Sequence, residues 1–364
     1  MTEQSSWWCI VCGREFTPQA ASVRCPNCGW TPETLPQMGH PPPMPESKKG
    51  EGPAAAAAMP RPSSTQHPSQ PIMRLVPPLV DVAFADRERY FGLSEAMGGK
   101  AASLTIWSRR GRDLQVLLAI EKPIGLGRVA SGDPIVVSGK GIAVMVTAPK
   151  PGQSGRIPET TGHKTGWSVS CYAVNPAGTL LALGVPLESA VRGLATEGFE
   201  ETWLLRDLPA SPTALAFSLD GRRLAVGLDD GRSQVLDLAS GRVVAPVAVR
   251  HGNEGLPFVA PRPGGGWAAV CEDNVLLCWD AHGAITGQMT LDLDVSALAV
   301  DPLSNVIGVG GREGHARVWT ADLAECLVNQ RIHGDRIMRV LLRGNVLTTA
   351  PRGGEVQLTT FRCP

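Results

Sequence analysis

Four cysteines in two pairs are the residues best suited to chemistry. Cys9-x2-Cys12 and Cys25-x2-Cys28 are separated by twelve residues. Two such turns bring four thiolates to the corners of a tetrahedron, the geometry of structural Zn²⁺ or of a single iron. A segment this short has almost no core, so metal binding would supply its folding energy, on the order of 10–16 kcal/mol at pH 7. Pro26 and Gly29 shape the second turn so that backbone N–H groups can face sulfur. The other five cysteines are scattered, mostly through apolar runs. That usage fits a reducing compartment, and a cytoplasmic location is expected.

Little else carries a reaction. No nucleophile elbow, phosphate loop or His-Glu-x-x-His element occurs. Gly308-Val309-Gly310-Gly311 is glycine-rich but closes a strand pattern with no helix after it, and reads as a turn. The histidines His163, His251, His282, His315 and His333 fall mostly in connections between strands. A non-catalytic chain is expected. The alternative is a propeller enzyme or small-ligand sensor with its site in a central channel.

Charge narrows the partners. Lys and Arg number 34, Asp and Glu number 34, and the formal net charge is zero. Nothing pulls the chain as a whole toward nucleic acid or an anionic membrane. Arg14 and Arg24 are the only basic residues around the cysteine pairs, too few to track phosphates. No run of roughly 18 apolar residues offers a membrane span, and no secretory signal is expected. Protein partners are expected for a monomeric chain.

The elements that must position these residues fall into three regions. Residues 1–30 hold the paired cysteines. Residues 31–70 are rich in Pro, Ser, Gly and Ala, include Pro41-Pro42-Pro43, and read as a disordered spacer. Residues 71–364 alternate short apolar, β-branched runs with turn residues and carry almost no helical periodicity.

This third region repeats. The last apolar residues of successive first strands are Phe84, Val129, Val174, Phe217, roughly Val259, Val300 and Val340. Their spacing is about 40–45 residues, the period of a propeller blade. In six units a second strand recurs at an offset of nine, as in Phe217/Val226 and Val300/Val309. Third strands end at Trp107, Met145, near Arg206, Leu236, Trp279, Trp319 and Thr359. The fold class expected is all-β, a seven-bladed propeller. The seventh unit supplies three strands, and Ile72–Val76 is the natural fourth, closing the ring.

Here the sequence resembles the WD-repeat family. Val235-Leu236-Asp237-Leu238, Cys278-Trp279-Asp280 and Val318-Trp319-Thr320 occupy the place of its terminal Trp-Asp. His251-Gly252 and His333-Gly334 stand where a Gly-His element lies, in reversed order. The resemblance implies a buried network of His, Asp, hydroxyl and Trp. Only the fifth unit, with His251, Asp273 and Trp279, is expected to assemble most of it. With Cys12-Gly13 and Cys25-Pro26-Asn27-Cys28-Gly29, the N-terminal segment resembles zinc-ribbon and rubredoxin-like knuckles. That implies one structural zinc ion. Iron is the alternative, and would imply electron transfer.

A partner surface is expected in the third unit. Leu183 to Arg206 spans twenty-three positions where Val226 to Leu236 takes ten. The surplus within Val185–Glu201 reads as an inserted loop. Leu187, Val191 and Leu194 recur at helical spacing, with Glu188 and Arg192 between them, and suggest a short amphipathic turn. The function expected is a protein-interaction scaffold with a tethered metal knuckle.

Overall fold

Short β-branched runs punctuated by Gly, Pro, Asn and Asp fold as antiparallel strands joined by tight turns. The structure is a computed structural model. It describes residues 7–8, 15–16, 69–74, 78–85, 89–96, 100–108, 111–147, 158–247, 255–271 and 273–362. The chain divides into two units, Met1–Ala55 and Ala56–Pro364. In the first, β1 (Trp7–Trp8) pairs antiparallel with β2 (Glu15–Phe16), Trp7 opposite Phe16. Cys9, Cys12, Cys25 and Cys28 lie outside the described residues, as does the spacer to residue 68.

The second unit is seven four-stranded antiparallel sheets. β3 (Ser69–Arg74) comes first in the chain but belongs to the last sheet. Blade 1 is β4 (Leu79–Phe84), β5 (Arg89–Ala96), β6 (Ala101–Ser108) and β7 (Gly111–Leu118). Blade 2 is β8 (Pro123–Arg128), β9 (Pro134–Ser138), β10 (Ile142–Thr147) and β11 (Glu159–Lys164). Blade 3 is β12 (Cys171–Val174), β13 (Leu180–Val185), β14 (Ala190–Ala195) and β15 (Glu201–Leu205). Blade 4 is β16 (Pro212–Phe217), β17 (Arg223–Leu228), β18 (Ser233–Asp237) and β19 (Arg242–Val247). Blade 5 is β20 (Phe258–Pro261), β21 (Trp267–Val270), β22 (Val275–Trp279) and β23 (Ile285–Thr290). Blade 6 is β24 (Val295–Asp301), β25 (Val306–Gly311), β26 (His315–Thr320) and β27 (Cys326–Arg331). Blade 7 is β28 (Ile337–Arg343), β29 (Val346–Pro351), β30 (Glu355–Thr360) and β3.

The closure expected for the termini is present. β3 pairs antiparallel with β30, from Ser69 opposite Thr359 to Arg74 opposite Glu355. The strand begins at Ser69, three residues before the Ile72 start read from sequence, so the last two spacer positions are extended strand. The longer turn of the fifth unit is also present, as a 3-10 turn over Pro263–Gly265.

The third blade departs from its reading. Its third strand is β14, ending at Ala195, and the stretch near Arg206 is the fourth strand, β15. No insertion exists. The chain leaves β13, makes a 3-10 turn over Pro186–Glu188 and returns extended, with Leu183 opposite Arg192. Val191 and Leu194 are buried in β14, not presented on a helical stripe. Both faces of a blade pack on neighbouring blades. Val191 joins the apolar cluster between blades 3 and 4, and Leu194 the one between blades 2 and 3. Two-sided burial removes the period-two alternation, leaving a spacing that mimics a helix.

Each of the seven inter-blade interfaces has its own apolar cluster. Trp267, Trp279 and Trp319 are fully buried in two of them. A second device recurs. At the start of the inner strands of blades 3, 4 and 6, a hydroxyl donates to a carbonyl of the next blade. Ser170 reaches Pro212 at 2.6 Å, Thr213 reaches Leu256 at 2.9 Å, and Ser296 reaches Ile337 at 2.7 Å. In the same three blades a glycine (Gly184, Gly227, Gly310) stands opposite the following residue. A Cβ on Gly310 would lie 2.5 Å from Ile337 Cγ2. The glycine admits the neighbouring strand, and the hydroxyl pins it.

Closure generates a prediction. Removing residues 1–65 leaves a folded propeller, because β3 remains. Removing residues 1–78 deletes β3 and exposes the β30 edge, and the protein melts far lower or aggregates. Thermal melts of the two truncations measure this, and identical curves would contradict the role of β3.

Candidate functional site

Strand direction sets what each face of the ring displays. Every blade runs from its inner strand outward, so connections between blades and turns between second and third strands share one face, here the upper face. Backbone bonds join the two sets, as in Asp229 N–H to Ser211 carbonyl at 2.9 Å and Arg312 N–H to Asp294 carbonyl at 2.8 Å. The inner strands surround a channel. Toward the upper face it holds a cavity of about 210 Å³ lined by Ile124, Tyr172, Thr213, Phe258, Leu298 and Arg339, one from each of blades 2 to 7.

Blade 1 contributes Asp81, 1% exposed, in the apolar run Leu79–Phe84. Burying a carboxylate is costly unless it is paired and hydrogen-bonded. Asp81 accepts five bonds. Oδ1 takes the Val82 N–H at 2.7 Å and Arg339 Nε. Oδ2 takes the Leu126 N–H at 2.9 Å, the Tyr172 hydroxyl at 2.7 Å and Arg339 Nη2 at 2.9 Å. The cluster therefore ties blades 7, 1, 2 and 3 together around the channel. Tyr172 crosses from blade 3 only because position 125 is glycine. A Cβ there would lie 2.1 Å from the ring.

These neighbours set the ionisation of the cluster. Asp81 holds the Arg339 guanidinium well above its ordinary range. Burial, and then the Asp81 charge, push the Tyr172 hydroxyl up. Burial pushes the neighbouring Cys171 thiol up to about 12. Arg339 keeps 36% of its side chain exposed, and the exposed part faces the channel. Its Nη1 donates no hydrogen bond among the described residues.

The residues expected to bind a partner are brought together only in part. Leu187 stands at the tip of the 3-10 turn on the upper face, 86% exposed. Arg192 is committed within the fold. It bonds Glu188 at 2.6 Å and Glu201 at 2.5 Å, and lies 4.2 Å over the Trp167 ring. Val191 and Leu194 are core. Of the set expected in the fifth unit, His251, Asp273 and Trp279, His251 lies outside the described residues, and the buried Trp279 indole N–H has no partner among them. A His–hydroxyl pair occurs in the seventh blade instead, where His333 Nε2 meets Thr349 Oγ1 at 2.8 Å. Burial pushes His333 down to about 4, so it pairs as a neutral ring near pH 7.

Asp81, Tyr172 and Arg339 escaped the sequence reading. The available signal was one ionised residue of opposite sign in the apolar inner strands of the first and last blades, Leu79-Val80-Asp81-Val82 and Ile337-Met338-Arg339-Val340.

No family model and no curated protein sequence matches the chain. Among solved structures it is similar to the crystal structure of Chaetomium thermophilum Raptor, with a TM-score of 0.66 and 13% identity over 82% of this chain. The chain spans 29% of that protein's length. At this identity the likeness shows the propeller fold alone.

The brace generates a prediction. Arg339→Met leaves a buried carboxylate without its cation and lowers stability by about 3–5 kcal/mol. The neutral, similarly shaped pair Asp81→Asn with Arg339→Gln recovers much of that loss. Denaturant melts of both variants measure the difference. Equal destabilisation by the two would sink the claim that pairing matters.

Proposed function

We propose that the chain is a non-catalytic, protein-interaction scaffold of the WD-repeat type, working in the cytoplasm as a monomer, with its upper face as the platform and the N-terminal knuckle as a tethered second contact. The observation that carries this reading is the channel mouth. Six blades converge on one cavity whose charged lining group, Arg339, is fixed by a saturated partner. Such a rigid concavity suits a side chain offered by a partner, because little ordering entropy is lost there on binding. Asp81 has spent its lone pairs on five donors, and Cys171 is held as a thiol. Neither is poised as a base or a nucleophile, which supports binding over catalysis. The exposed Leu187 adds an apolar contact on the same face.

Two exposed leucines make a matched test. Leu187 lies on the upper face, and Leu303, 56% exposed, lies in the turn between β24 and β25 on the opposite face. Affinity capture from the native source, read by quantitative mass spectrometry, should lose its partners with Leu187→Asp and keep them with Leu303→Asp. The reverse pattern would put the platform on the other face.

For the knuckle, the proposed ligands are Cys9, Cys12, Cys25 and Cys28, holding one zinc ion in a structural role. The β1–β2 ladder supports this, since it joins the two ends of the stretch that carries Cys9 and Cys12. A zinc bound by four thiolates stabilises the fold of its own segment and leaves no position open for a substrate. Joining two weak contacts through a spacer raises avidity by effective concentration. Elemental analysis should give close to one zinc per chain, lost with Cys25→Ser. Iron with a visible charge-transfer band would revive the electron-transfer alternative.

A further inference from the structure

The connections of blades 6 and 7 meet on the upper face. The N–H groups of Ile332 and His333 both donate to the Gly314 carbonyl, at 2.9 and 3.1 Å, which joins turn 312–314 to connection 332–336. The Arg352 N–H donates to the Arg336 carbonyl at 2.8 Å, which adds the turn of blade 7. Three arginines thus stand on adjoining loops: Arg312, Arg336 and Arg352. Arg336 Nε is buried without a hydrogen-bond partner. Among the described residues, no hydrogen bond or ion pair engages the Arg336 or Arg352 guanidinium. Buried polar groups are nearly always satisfied, and the fold supplies Arg336 with no acceptor of its own.

Acidic neighbours do not supply it. Asp294 pairs with Arg312 at 3.3 Å, but both are more than half exposed, and such pairs are weak. The Asp335 carboxylate accepts the Arg336 backbone N–H at 2.7 Å. Asp292 is engaged by Arg317, and Glu313 is exposed on its turn. Burial, and then the like charges of Arg312 and Arg352, depress the proton affinity of Arg336. The cluster is held together by backbone bonds despite that repulsion.

We propose that Arg312, Arg336 and Arg352 form a site for a phosphoryl dianion borne by a phosphorylated serine or threonine of a partner segment. The chemistry is that of planar guanidinium forks meeting an anion with three acceptor oxygens. Three arginines on adjoining loops of a chain of zero formal net charge match a single dianion. It does not match a polyanion, which needs an extended basic track. The inference rests on the platform reading and names the partner chemistry of its blade 6–7 sector.

The test uses the full chain and fluorescence polarisation with a labelled degenerate phosphoserine peptide library and its serine twin. The phosphorylated library should bind at least tenfold tighter, and more weakly as salt rises. Arg336→Met and Arg352→Ser should each cost about tenfold with an unchanged melting temperature. Arg222→Ala, on the opposite face, should cost nothing. Because Arg352 is exposed, its variant keeps the test decisive even where Arg336→Met perturbs folding. Equal binding of the two libraries overturns the proposal, as does phosphopeptide binding that ignores both variants. Inorganic phosphate or single-stranded DNA binding that depends on Arg336, without phosphopeptide binding, overturns it in favour of a free anion or a polyanion. Partner capture that is lost with Leu187→Asp but indifferent to Arg352→Ser removes this site and leaves the platform standing.

Discussion

The ring depends on the seam between blades 7 and 1. Every other interface closes between blades that follow one another in sequence, over an apolar cluster of nine to thirteen buried residues. Among the described residues the seam cluster contains four: Leu79, Val82, Ala350 and Val356. Apolar burial is non-directional and would tolerate slippage there. Directional bonds replace it. The β3–β30 ladder fixes register along the outer edge, and the Asp81–Arg339 pair fixes it at the channel. A buried carboxylate with five donors has one satisfactory position, so the seam has one geometry.

At three of the other six interfaces a repeated hydroxyl bond makes the directional link. The Ser170, Thr213 and Ser296 bonds each join one inner strand to the next, beside a glycine that lets the strands approach. Blade 1 lacks the hydroxyl, because Val80 holds that place. Its link to blade 2 is made by Asp81 accepting the Leu126 N–H. This explains how the blades stand without the polar networks that the WD-repeat resemblance implies. The buried indole N–H groups of Trp107, Trp203, Trp267, Trp279 and Trp319 have no partner among the described residues. Each orphan donor costs about 1–3 kcal/mol. Burying an aromatic ring of 150–250 Å² at about 25 cal/mol per Å² returns more than that.

Much of this was legible in the residues. The offset of nine between Phe217 and Val226, or Val300 and Val309, holds because one hairpin geometry is reused. Leu215 pairs with Val226 and Leu298 with Val309 in both blades. The closing strand was legible by counting, since seven units of four strands need one strand more than residues 79–364 supply. Blade 3 was misread at Val191 and Leu194, because a strand buried on both faces has no period to detect. The Asp81–Arg339 pair was illegible for another reason. The two residues are 258 positions apart, and no local pattern reports a contact made only when a ring closes.

The turns of both faces show how polar groups are spent. On the lower face, turns satisfy themselves. Asn175 accepts the Thr179 and Leu180 N–H groups at 2.8 and 3.0 Å. Asp301 accepts the Ser304 hydroxyl and the Gly344 N–H, at 2.5 and 2.6 Å. Asp237 and Asp280 do the same for Ser240 and Ala284. These are the turn residues that made the hairpins readable, and their side chains are consumed in making them. The upper face also contains self-satisfied turns, such as Asp230 with Arg232. Among the described residues it also leaves the Arg336 and Arg352 guanidinium groups without a partner and Leu187 exposed, as the lower face leaves Leu303 exposed. An orphaned guanidinium nitrogen costs free energy. On the platform reading proposed above, the short connections that carry these groups would leave little ordering entropy to lose on contact.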